Sequence, residues 1–120
     1  MTLLLGLGLA AGLATWATPA PAHSLLLAAT PAPDAVVAVS PPYVSLHFNN
    51  RVEKRLSRVQ LVDERGRVAR APIAGADDQP AETLRAVVPP LAPGLWRVEW
   101  HVFSTDGHVV NGSYGFRLAP

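Results

Sequence analysis

Leu95-Trp96-Arg97-Val98-Glu99-Trp100-His101-Val102-Phe103-Ser104 is the stretch that decides the fold. Trp96, Val98, Trp100 and Val102 fall on one side of an extended chain, and Arg97, Glu99, His101 and Phe103 on the other. Alternation with a period of two is the mark of a half-buried strand, because successive side chains of a strand point to opposite faces. Two tryptophans on the inner face supply enough apolar surface to organise a core. They are read as core residues, since alternation alone accounts for them.

Working outward, the same period recurs in short runs and no segment sustains a helical one. Tyr43–Phe48 places Val44, Leu46 and Phe48 on one face and Tyr43, Ser45 and His47 on the other; it follows Pro41-Pro42, which disfavours helix there. Strands are also expected at Ser24–Ala29, Arg58–Asp63, Val68–Ala71, Glu82–Val88 and Ser113–Leu118, with Tyr114, Phe116 and Leu118 inward. Val52–Leu56 is expected to form one irregular helical turn. Gly66 and the Pro89–Gly94 stretch mark turns, and Pro72 to Pro80 is a polar loop. About seven short strands separated by turn signals predict an all-β fold, a seven-stranded Greek-key β-sandwich.

The 120 residues hold ten Lys and Arg against nine Asp and Glu, a net charge of +1. That balance gives no reason to expect nucleic acid or an anionic surface as partner. The absence of cysteine excludes disulfides, thiolate-bound zinc, iron–sulfur clusters and thiol nucleophiles. Neither a Ser/His/Asp arrangement nor a Gly-rich phosphate loop is visible. Residues 1–22 carry no charged side chain and run from an apolar Leu/Gly/Ala segment into Ala20-Pro21-Ala22. This is the layout of a secretory signal peptide cut after Ala22, although the usual basic residue at its start is missing. An uncleaved anchor is the alternative. Cleavage leaves a domain of residues 23–120 with His23 as its free N-terminus.

That cut gives chemical weight to Thr105-Asp106-Gly107-His108. Asp and His two apart in extended backbone project to one side, with Gly107 offering no side chain between them. Alone, the tripeptide reads first as a polar turn. His23 changes the reading, because an N-terminal His offers an amine and an imidazole on one residue. An amine, two imidazoles and a carboxylate form an N₃O set that suits a tetragonal Cu(II) ion, one per chain. The amine must lose its proton to bind, so affinity is expected to fall below about pH 8. Of the other histidines, His47 and His101 are read first as strand surface residues, and only second as groups beside the metal.

The chain resembles the CopC family of periplasmic copper-binding proteins. The resemblance rests on His23, Thr30-Pro31-Ala32, Val44-Ser45-Leu46-His47-Phe48, Gly94-Leu95-Trp96-Arg97-Val98-Glu99-Trp100, Ser104-Thr105-Asp106-Gly107-His108 and Gly112-Ser113-Tyr114-Gly115-Phe116. It covers nearly all of residues 23–120. It implies an immunoglobulin-like sandwich, cupredoxin-like in outline, and a Cu(II) site made by His23, Asp106 and His108. It also implies a periplasmic location, a role in copper homeostasis or resistance, and delivery to an inner-membrane partner of the CopD type. No reaction is expected, and a monomer is assumed. Some members carry Glu two residues after the Phe of the His-Phe pair, where this chain has Asn50. Some bind Cu(I) through a Met-rich loop, whereas the one Met here is Met1, so no separate Cu(I) site is expected. The Gly usual after the first Pro-Ala turn is absent at Pro33-Asp34-Ala35. Two other functions fit parts of the pattern. One is a copper monooxygenase with an N-terminal His; the other is a metal-free secreted interaction module.

Overall fold

A computed structural model describes residues 25–75 and 78–120 of the chain. The signal-like segment, the cut after Ala22 and His23 lie outside the described residues. Eight strands follow in order: β1 (Leu26–Thr30), β2 (Val36–Val37), β3 (Tyr43–Phe48), β4 (Arg58–Asp63), β5 (Val68–Ala71), β6 (Thr83–Val87), β7 (Gly94–Phe103) and β8 (Val109–Leu118). A single 3₁₀ turn, Lys54–Leu56, stands where a helical turn was expected. One sheet has the order β1-β3-β6 and the other β2-β8-β7-β4-β5. The fold is therefore the expected β-sandwich, with one short strand beyond the seven.

The strands β8 and β2 depart most from expectation, each for its own reason. β8 begins at Val109 rather than Ser113, because all ten of its residues pair with β7. Asn111 and Gly112 are poor strand formers, so their local preference hides a strand imposed by the long partner beside it. The added strand β2 pairs parallel with the end of β8, Val36 against Arg117 and Val37 against Leu118. Two residues are too few to show any period. The turn that leads into β2 places Asp34 at φ 62, a left-handed position that Asp tolerates better than most residues.

The core lies between the sheets. Trp96, Val98, Trp100 and Val102 of β7 are buried together with Val44, Leu46 and Phe48 of β3 and Leu84 and Ala86 of β6. Phe48 meets Trp100 edge to face across the interface, with centroids 6.4 Å apart. Burying each such large side chain contributes roughly 1.5–3 kcal/mol. The Trp96 indole is kept satisfied by donating from Nε1 to the Ala92 carbonyl at 2.9 Å. β7 and β8 form a hairpin along this core, and their connecting turn, residues 104–108, carries the Asp-Gly-His sequence out of one end of the sandwich.

Candidate metal centre

Asp106 and His108 are brought together by a turn, and not by extended backbone. The last cross-strand pair of the hairpin is Phe103 with Val109. Ser104 N donates to the His108 carbonyl at 2.9 Å, and Gly107 N donates to the Ser104 carbonyl at 3.0 Å. Gly107 sits at φ +88, so this turn needs the one residue without a Cβ. Asp106 Oδ1 accepts the His108 backbone N–H at 3.1 Å. This Asx-type bond fixes the carboxylate and leaves its other oxygen, Oδ2, 3.2 Å from His108 Nδ1. Both side chains remain open to solvent, His108 at 56% and Asp106 at 34%. Nitrogen and oxygen ligands sit about 2 Å from a divalent ion such as zinc, so two donors at this separation can share one ion.

The described chain starts at this same end of the molecule. Leu25 N donates to Asn49 Oδ1 at 2.7 Å, and Asn49 N donates to the Leu25 carbonyl at 2.9 Å. Two residues on, Arg51 accepts Thr105 N through its carbonyl at 3.3 Å. Val52 bridges Ser104 in antiparallel fashion, and Glu53 N donates to the Phe103 carbonyl at 2.8 Å. Leu25, Asn49, Arg51 and Thr105 therefore form one continuous link from the start of β1 to the Asp106 turn. His23 is two residues before Leu25, and two residues span at most about 7 Å.

Among the described residues no third His, Asp or Glu completes a metal-holding group. His47 is exposed on β3, and its Nδ1 lies 3.3 Å from Thr83 Oγ1 on the neighbouring strand. His101 lies on the outer face of β7, where its Nδ1 meets Asn111 Oδ1 and its ring stands edge-on to Phe103. The Asn50 side chain turns back on the chain and accepts Arg51 N at 2.8 Å. Among the described residues the hydrogen bonds of these three groups go to Thr83, Asn111 and Arg51, and not to the Asp106–His108 pair. Asn49 is the residue that sequence reasoning missed. Nothing in its neighbours distinguishes it from a polar residue after a strand, and its role appears only when β1 is laid against β3.

The comparisons with known proteins agree with this architecture. The CopC domain model matches residues 26–119. Protein YobA of Escherichia coli K12 is 32% identical over 100 residues, covering 81% of this chain and 79% of YobA. Copper resistance protein C of Pseudomonas syringae pv. tomato is 29% identical over 106 residues, 82% of each chain. The crystal structure of CopC from Methylosinus trichosporium OB3b superposes with a TM-score of 0.76 at 36% identity, covering 82% of this chain and 95% of that one. PcoC, a methionine-rich copper resistance protein from Escherichia coli, gives 0.68 at 27% identity, covering 81% and 99%. With the domain model spanning the whole sandwich, the chain belongs to the CopC family.

Proposed function

We propose that this protein binds one Cu(II) ion in the periplasm, after cleavage behind Ala22, through the amine and imidazole of His23, the Asp106 carboxylate and the His108 imidazole. It holds or carries copper as part of copper homeostasis or resistance, passes it to an inner-membrane partner of the CopD type, and catalyses no reaction. Two relatives named for copper resistance support the copper reading, and so does the donor pair at the hairpin turn. The observation that carries the site is the link from Leu25 through Asn49 and Arg51 to Thr105. It runs from the start of the sandwich to the turn where, among the described residues, a carboxylate oxygen and an imidazole nitrogen stand 3.2 Å apart.

The chemistry follows from the donors. The Asx bond holds Asp106 in place before the ion arrives, so little order has to be created on binding. The remaining carboxylate oxygen is anionic and stabilises the doubly charged over the singly charged ion. The absence of Met from residues 23–120 leaves no thioether to favour Cu(I). Exposure of the pair keeps the ion accessible for transfer.

Cu(II) titration with electron paramagnetic resonance tests the reading on two chains, one starting at His23 and one with a single extra residue ahead of it. Tight one-to-one binding with a tetragonal, nitrogen-rich spectrum is expected only for the first. Equal affinity in both would remove the His23 amine from the site.

A further inference from the structure

The outer face of β4, β5, β7 and β8 carries a charge imbalance that the copper site does not explain. Register places Arg58 beside His101 and Asn111 in one cross-strand row. The next row holds Arg70, Gln60, Glu99 and Ser113. Arg97 and Arg117 project from the same face. Four arginines thus share this face of the strands with one strand acid, Glu99, while the chain as a whole is nearly balanced at ten against nine. Glu99 is already engaged at both oxygens: Gln60 Nε2 donates to one at 2.9 Å and Arg97 Nε to the other at 3.0 Å. Among the described residues neither Arg58 nor Arg70 pairs with a carboxylate. Both are exposed. The surface between them is concave, enclosing about 1020 Å³, and Asn111 and Ser113 line it opposite the two arginines.

We propose that this groove docks an extended acidic segment of a partner protein, with Arg58 and Arg70 receiving its carboxylates. A guanidinium presents paired N–H groups that match a carboxylate, and no internal acid competes for these two. Gln60, Asn111 and Ser113 offer donors and acceptors to the segment's backbone. The concavity, with two arginines at its rim that are unpaired among the described residues, favours an inserted acidic chain over a membrane surface, which needs a flat or protruding contact with apolar wedges. One row beyond His101 and Asn111 lie Phe103 and Val109, and then the Asp106 turn. A partner seated here would therefore lie against the hairpin that carries Asp106 and His108. That delivery role rests on the copper reading, whereas the docking surface does not.

The test titrates hexaglutamate into the ¹⁵N-labelled purified protein without copper, with hexalysine and phosphatidylglycerol vesicles as parallel probes. Shifts at the amides of Arg58, Arg70, Asn111 and Ser113 are expected with hexaglutamate alone, weakening as salt rises. Arg58→Gln/Arg70→Gln should bind about tenfold more weakly, the loss expected of two partly screened charge pairs. An unchanged melting temperature of that variant shows that the fold is intact. If it melts lower, the single variants Arg58→Lys and Arg70→Lys, which keep the charge and remove the fork, are compared instead and should weaken binding less than either Gln. Absence of shifts, shifts centred on Lys54 and Arg55, undiminished binding by the double variant, or binding to vesicles without binding to the peptide would each overturn the proposal. A failure here leaves the copper titration unaffected, so the two readings fall separately.

Discussion

A Cβ at Gly112 would overlap Cζ2 and Cε2 of the Trp100 indole, which lies across the hairpin from it. The indole cannot retreat, because Phe48 meets it on one side and Tyr114 stands 6.1 Å from it, centroid to centroid, on another. Gly112→Ala should therefore cost about 1–3 kcal/mol, seen as a lower urea midpoint at unchanged slope; an unchanged midpoint would mean that Trp100 has room to shift. Tyr114 presents the opposite case. Its hydroxyl is buried and has no hydrogen-bond partner among the described residues. Burial pushes its ionisation well above the ordinary phenol value. The folded chain therefore keeps the proton at a pH where the unfolded chain releases it. The contribution is fully present below the unfolded value of about 10 and is lost as pH rises beyond it. Tyr114→Phe should raise stability by about 1 kcal/mol at neutral pH and flatten the decline above pH 10, read from melting curves across that range. Equal alkaline decline in both proteins would assign it to other groups. Neither role was legible beforehand. The sequence places Gly112 just before the expected Ser113–Leu118 strand and Tyr114 inward within it, and only cross-strand register shows what each one meets.

Strands β3, β4 and β5 have the bounds that alternation predicts, because each is a short run with apolar residues on one face and turn residues at its ends. β8 was legible only in its aromatic half, and the half next to the Asp106 turn is held as strand by β7. The same limit applies to the site. Asp106 and His108 could be named from their spacing, yet the contact between them comes from an Asx turn and a left-handed glycine, which spacing does not reveal. The placement of β1 was also hidden. Leu25, the residue just before it, is tied to Asn49 by a side-chain and a backbone hydrogen bond, which extend the ladder beyond Leu26. Asn49→Ala removes one of the two and leaves the core untouched. On the copper reading, Cu(II) affinity should fall up to about tenfold, equivalent to a hydrogen bond of about 1 kcal/mol or slightly more. Global stability should change by less than that, and the Leu25 amide should exchange faster with solvent. Faster exchange with undiminished affinity would show that anchoring β1 is irrelevant to the metal.

At the scale of the whole molecule, the proposed donors come from the two extremes of the sequence, His23 at the start and Asp106 with His108 close to the end. If these are the donors, folding is what brings them together, and copper should bind the native state in preference to the unfolded chain. Linkage then requires copper to stabilise the fold by about 2.7 kcal/mol when free Cu(II) is one hundred times its dissociation constant. For a domain of this size that corresponds to a rise in melting temperature on the order of 10 °C. The measurement is a calorimetric scan of the chain beginning at His23, with Cu(II) supplied through a weak competing chelator and then removed with a strong one. His108→Ala sharpens the test. It removes one donor from an exposed turn and leaves the core intact, so its metal-free melting temperature should match the parent while the copper-induced rise disappears. A rise of equal size in His108→Ala would show that copper stabilises the protein elsewhere, at His47 or His101. A fall in melting temperature with copper would mean that the unfolded chain binds it better, and the fold would not be what assembles the site.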